Sequence, residues 1–229
     1  MGFVHVYFKN ISNYTAVDLE NLYPMISPER QAVLQNRKHW KDQVRGAVCE
    51  ILLWKSLQEL GFDLNELAVS YDTDKPFLYD PFAKKLADKT GMDASSYAVG
   101  IDFSFSHSGD YCVCAVSDFK IGVDIQEKTS RMPLMSNHIF TEKESLRVKD
   151  ANDFLDYWTC KESFIKCVYP EKANLLSVEL DLSDEVHPIV NRKDGEQFFF
   201  STKHLSENYT LSFCTKAHEG YSYKFSELN

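Results

Sequence analysis

Apolar residues along this chain recur at two spacings, and the switches between them mark its elements. Residues 3–8, FVHVYF, read as a strand. From Trp40 to Leu60 the spacing lengthens to that of a helix burying Val44, Val48, Ile51, Leu52 and Leu57, with Gly61 as its stop. LAVSYDTDKPFLYD is strand and turn, bending at Lys75-Pro76. Residues 80–99 carry Gly, Ser and charge without a clear period and read as a surface insertion. GIDFSFSHSGDYCVCAVSD alternates and turns at Ser108-Gly109-Asp110, as paired strands do. IGVDIQE opens a second half with another strand, and FTEKESL starts a helix whose Thr141 and Glu144 form a capping box. A further helix runs from Asn152 to Val168. SVELDL, EQFFFSTKHL and NYTLSFCTKA then alternate like an antiparallel meander. The pattern predicts an α+β protein of two similar halves, 1–118 and 119–229, with a ligand cleft between them.

The helix at 152–168 contains a conflict. At about 3.6 residues per turn, Phe154, Tyr157, Trp158, Phe164, Ile165 and Val168 share one arc, and Lys161 falls in its middle. Glu162 and Lys166 lie on its edge and can form an i,i+4 pair, which accounts for those two groups at a few tenths of a kcal/mol. Burying the Lys161 ammonium without an anionic partner would cost several kcal/mol, unless its stem snorkels out. A bound polyanion would resolve the conflict, with Lys161 and Lys166 on phosphates and Glu162 on a metal or a proton.

Composition narrows the classes. The chain has 229 residues, 44% hydrophobic and 26% charged, which is globular, and its net charge of −9 argues against binding nucleic acid over a broad surface. The N-terminal MGFVHVYFKN has no basic stretch followed by a long apolar run, and no segment approaches the ~18 apolar residues of a membrane helix. Six cysteines without a CxxC pair suit buried small side chains in a reducing cytoplasm. A cytoplasmic protein with no membrane span is expected.

Two further groups can do chemistry. In IGVDIQE, Asp124 and Gln126 project to one face of the strand, about 7 Å apart, where two oxygens can converge on one hard cation. Mg2+ needs only one or two carboxylates, because water and phosphate supply the rest. In SFSHSGD, His107 stands between Ser106 and Ser108 at a turn, where hydroxyls, an imidazole and backbone N–H groups can surround a phosphate. A Ser-His hydrolase fits poorly, since no GxSxG elbow is present.

FSHSGD, IGVDIQ and WTCKESFIK, in that order, resemble the signature of the 4'-phosphopantetheinyl transferases, in particular the longer single-chain, surfactin-synthetase-activating kind. ISPER at 26–30, Arg45 and KPFL at 75–78 also resemble segments of that family, so the likeness covers nearly the whole chain. The resemblance implies two α+β halves related by a pseudo-two-fold axis. It implies transfer of 4'-phosphopantetheine from coenzyme A to a serine of an apo acyl or peptidyl carrier protein, with Mg2+, releasing 3',5'-ADP. It assigns Asp124 and Glu162 to the metal, Glu162 as general base, and Lys166 to the breaking pyrophosphate. It assigns Lys161 to a coenzyme A phosphate, and Arg45, Lys75, Ser106 and His107 to the nucleotide and its phosphates, with Arg30 as a helper. The family has Glu where this chain has Gln126, so the expected site has two carboxylates, with the amide oxygen or a water in the third place.

An acidic carrier would be repelled by a chain at −9, so docking needs a local exception. Residues 127–150 hold five Lys or Arg against four acids, interspersed with Met132, Leu134, Met135, Ile139 and Phe140, and form the candidate docking surface. A monomer is expected, since both halves belong to one chain. Two other activities fit the same residues: a metal-dependent hydrolase of coenzyme A or a related nucleotide pyrophosphate, and a non-catalytic binder of coenzyme A or carrier protein.

Overall fold

The computed structural model describes residues 2–93, 97–130, 138–168, 174–182, 189–191, 197–216 and 221–228. In chain order its elements are β1 (Phe3–Asn10), α1 (Leu19–Leu22), α2 (Pro28–Gln35), α3 (Trp40–Glu59), β2 (Ala68–Ser70), β3 (Phe77–Tyr79) and α4 (Pro81–Thr90). There follow β4 (Asp102–Ser108), β5 (Tyr111–Ser117), β6 (Ile121–Glu127), α5 (Glu142–Arg147), α6 (Ala151–Val168), β7 (Leu180–Asp181), β8 (Ile189–Asn191), β9 (Gln197–Ser206), β10 (Tyr209–Lys216) and β11 (Ser222–Glu227).

Strands that are apolar on both faces dictate a layered α+β architecture. One sheet has the order β11-β1-β5-β4 and the other β6-β10-β9-β8-β7, while β2 and β3 form a separate hairpin. Val4, Val6 and Phe8 of β1 and Val113 and Ala115 of β5 pack against Val123 and Ile125 of β6 and Leu211 and Phe213 of β10, so the sheets meet face to face. The opposite face of the first sheet, with Tyr7, Cys112 and Cys114, receives α3. That of the second, with Phe198, Phe200 and Cys214, receives α6. All six cysteines are free and buried. No helix among the described residues is long and apolar enough to cross a membrane.

Close approach of α6 to β6 depends on Gly122. A Cβ at that position would collide with the Ser163 carbonyl and stand 2.5 Å from the Cys167 nitrogen, both backbone atoms. Gly122→Ala is therefore expected to destabilise the fold by about 1–3 kcal/mol through overpacking, read as a lower denaturant midpoint.

Side chains stitch the two sheets along one seam. The N–H groups of Ile121, Val123, Ile125 and Glu127, on the edge of β6 away from β10, donate to Asp102 Oδ2 (2.8 Å), Ser104 Oγ (3.1 Å), Ser106 Oγ (3.4 Å) and Ser108 Oγ (2.9 Å) of β4. A buried N–H without a partner costs about 1–3 kcal/mol, so polar side chains at every second position of β4 complete an edge that no strand among the described residues covers. Lys75 reinforces the seam, donating to Asp102 Oδ2 (2.7 Å) and to the Ile121 carbonyl (2.9 Å).

Two sequence expectations change here. The stretch 80–99 contains a helix, α4, with Asp80 as N-cap, Pro81 in its first turn and Gly91 in the left-handed region (φ 73°) at its end. The division at 118/119 does not separate the sheets, because β11 returns to the first sheet and runs parallel to β1, Phe3 facing Ser222.

Candidate active site

Alternation along β6 turns Asp124 away from Val123 and Ile125 and toward α6. There its Oδ1 accepts from Lys166 Nζ (2.6 Å) and from Ser106 Oγ (2.7 Å). Lys166 also donates to the Val123 carbonyl (3.0 Å) and to Ser106 Oγ (3.1 Å). Asp124 is buried, and among the described residues its Oδ2 has no hydrogen-bond partner. Glu162, one turn before Lys166, is half-buried beside it. Burial first, and the charge of Asp124 second, raise the Glu162 pKa against the opposing pull of Lys166. A half-buried carboxylate that feels the charge of Asp124, together with an Asp124 oxygen left unpartnered among the described residues, fits a hard cation that takes oxygen ligands. Among the described residues no group of three or more His, Cys, Asp or Glu is arranged to hold a metal. Gln126, partly exposed, donates its amide to the Glu127 carbonyl at 3.4 Å.

A cavity of about 440 Å3 opens beside Lys166 and Ser106, lined also by Arg30, Arg37, Tyr71 and His107. Burial, then the charges of Arg45 and Arg37, push the His107 pKa down to about 4. The imidazole is therefore neutral at physiological pH and can accept or donate one hydrogen bond without adding charge. Its linkage has a definite sign: the unfolded chain takes up this proton near 6.5, the folded one only near 4, so stability falls as pH drops through that window. An NMR titration should find the His107 ring resonances constant from pH 8 to pH 5.

Arg30 lies at 4.9 Å over the Tyr71 ring and donates to the Gly46 carbonyl through Nε (3.2 Å) and Nη2 (3.1 Å). Tyr71 donates to Glu50 Oε2 at 2.8 Å, and Glu50 Oε1 accepts from the Ser27 N–H and the Trp54 indole, each at 2.9 Å. This fully buried carboxylate fixes the wall that carries Arg30. Sequence reasoning missed Glu50, Tyr71 and Arg37. The first left a signal, a carboxylate inside the apolar run AVCEILLW.

The expected ligands for the nucleotide do not all gather at this cavity. Arg45 clasps the Gly109 carbonyl through Nε (3.1 Å) and Nη2 (2.5 Å) and pairs with Asp42, so it holds the β4–β5 turn beside His107. Lys75 is committed to the seam and borders an adjoining hollow of about 220 Å3 that shares Lys166 and Phe105 with the first. Lys161 departs furthest from expectation. Its ammonium is fully buried, 2.5 Å from Glu144 Oε2, and donates to the Ile139 and Leu175 carbonyls at 2.9 Å each. Its anionic partner is a side chain of this protein rather than a bound phosphate.

The candidate docking surface also changes. Ile139 and Phe140 are buried in the core around α6 and cannot meet a partner, whereas Leu146 of α5 is 83% exposed. Lys143 and Arg147 pair with Glu179 and Asp181, each at 2.9 Å. Arg131, Met132, Leu134 and Met135 lie outside the described residues.

A family model described as the 4'-phosphopantetheinyl transferase superfamily matches residues 120–214, which include Asp124, Glu162 and Lys166. The chain is 26% identical over 212 residues to the 4'-phosphopantetheinyl transferase of Bacillus subtilis, covering 87% of this chain and 86% of that protein. It is 30% identical over 172 residues to 4'-phosphopantetheinyl transferase Sfp of Bacillus subtilis (strain 168), covering 71% and 66%. It is 26% identical over 149 residues to 4'-phosphopantetheinyl transferase gsp of Aneurinibacillus migulanus, covering 62% and 56%.

Proposed function

This chain belongs to the 4'-phosphopantetheinyl transferase superfamily and is an enzyme of that family, and from that premise we propose that it moves 4'-phosphopantetheine from coenzyme A to a serine of an apo carrier protein, dependent on Mg2+. The observation that carries the reading is the grouping of Asp124, its Oδ2 buried without a partner, with the Glu162 carboxylate and the Lys166 ammonium beside a basic cavity.

In the reaction the serine hydroxyl of the carrier adds to the phosphorus that bears the pantetheine arm. Its proton passes to Glu162, directly or through a water, and the bond from that phosphorus to the bridging oxygen breaks to release 3',5'-ADP. A raised pKa suits Glu162 to this step, because it brings the base closer to the working pH. Lys166 offsets the charge left on the departing phosphate, and Arg30, Arg37 and neutral His107 line the pocket for the nucleotide. Mg2+, when bound, would supply charge neutralisation to the pyrophosphate; Asp124 and Glu162 would hold it, with Gln126 or a water in the third place. Residues 127–150 receive the carrier, with exposed Leu146 as one apolar contact, and a single chain carries the whole site.

The test combines the protein, coenzyme A, Mg2+ and a panel of apo carrier proteins in a mass measurement. The expected result is a carrier heavier by one phosphopantetheine. A folded protein that leaves every carrier unchanged, or that degrades coenzyme A without an acceptor, would overturn the reading.

A further inference from the structure

A serine hydroxyl has one proton to donate and two lone pairs to accept with, and Ser106 uses all three. It donates to Asp124 Oδ1 (2.7 Å) and accepts from Lys166 Nζ (3.1 Å) and the Ile125 N–H (3.4 Å). It is 8% exposed. A phosphate oxygen would require that same single proton, so the hydroxyl cannot serve a phosphate while it serves the carboxylate. We infer that Ser106 is a positioning residue for Asp124: it pins Oδ1, together with Lys166, and so turns the unpartnered Oδ2 toward the cation that Asp124 and Glu162 would share.

The geometry gives the inference a built-in control. Ser104 occupies the equivalent place one step along β4, is as buried as Ser106, and makes the same contact to β6, accepting from the Val123 N–H at 3.1 Å. Its side chain has no bond to a carboxylate among those of the described residues. Loss of either hydroxyl removes one stitch from the seam, but only loss of Ser106 frees Oδ1. Outer partners of metal ligands alter affinity by about 10–100-fold, so the two variants should separate.

The inference rests on the metal site of the proposed function, and its test reads binding rather than turnover. Mn2+, which takes the same hard oxygen ligands as Mg2+, is titrated into the whole protein and followed by its electron paramagnetic resonance signal. Coenzyme A binding is measured separately by calorimetry in excess chelator. Ser106→Ala should weaken Mn2+ at least about ten-fold and leave metal-free coenzyme A affinity within about two-fold; Ser104→Ala should change neither. Should Ser106→Ala fail to fold, Ser106→Cys, with a weak thiol donor of similar shape, should give a smaller loss of Mn2+ affinity in the same direction. Wild-type Mn2+ affinity in the Ser106 variants with weakened coenzyme A binding would make Ser106 a phosphate ligand and overturn the inference alone. A wild-type protein that binds no Mn2+ would overturn the metal site and the inference together.

Discussion

Lys161→Met is expected to cost about 3–5 kcal/mol of stability, as breaking one side of a buried ion pair does. Burial lowers the Lys161 pKa, and Glu144 opposes that shift; the ammonium is held inside by its partner and two carbonyls. Glu144 also takes the N–H groups of Thr141 and Leu180, each at 2.8 Å. Removing the lysine would leave a carboxylate sealed in the core with two neutral donors. Urea unfolding should report the loss as a lower midpoint at unchanged slope. Replacing the pair together, Lys161→Met with Glu144→Leu, should recover much of it, since no charge then stays buried alone. A Lys161→Met protein of wild-type stability that binds coenzyme A poorly would return Lys161 to the ligand pocket.

Glu162→Gln should reduce transfer by about 10²–10⁴-fold, the range for losing a positioned general base, while making the folded protein more stable at neutral pH. The second half follows from the raised pKa of Glu162. At pH 7 the fold holds an anion it disfavours, next to Asp124. The unfolded chain releases this proton near 4.5 and the folded one at higher pH, so stability is lost as pH rises through that interval. The amide has no such loss, and the gain should appear as a higher melting temperature at pH 7 that vanishes below pH 4. Asp124→Asn should abolish transfer as well, but with lower stability, because it strips Lys166 of its partner. Gln126→Glu should keep transfer. Opposite signs in stability for two variants that both lose transfer would be hard to obtain from general damage to the fold.

How much of this was legible in the sequence depends on where each signal lived. The bounds of α6 follow from apolar spacing, yet its buried arc is rotated from the expected one. Trp158, Ile165 and Val168 are half-buried, while Cys160, Ser163 and Cys167 are fully covered. Spacing weighs large side chains, whereas the helix sits down on Gly122, where only small ones fit. In α4, Phe82, Ala83, Leu86 and Ala87 do repeat at helical spacing, but over so few turns and among so many charges that 80–99 reads as loop; of that stripe Ala87 is buried, while Phe82 and Leu86 are 79% and 56% exposed. Its caps were present all the same. The conflict at Lys161 was real and its location correct, but the answer lay 17 residues upstream in Glu144, a residue already accounted for by its capping box. The serines of β4 advertise a polar strand face, and only tertiary structure reveals that their partners are the bare amides of β6.

The parallel pairing of β11 with β1 has a consequence for biogenesis. Phe3 is made well before Ser222, the residue it faces across the pair, so until β11 follows one edge of the first sheet lacks its neighbour. The first sheet therefore cannot be finished before β11 has been made, and until then that edge is open to pairing with a neighbouring chain.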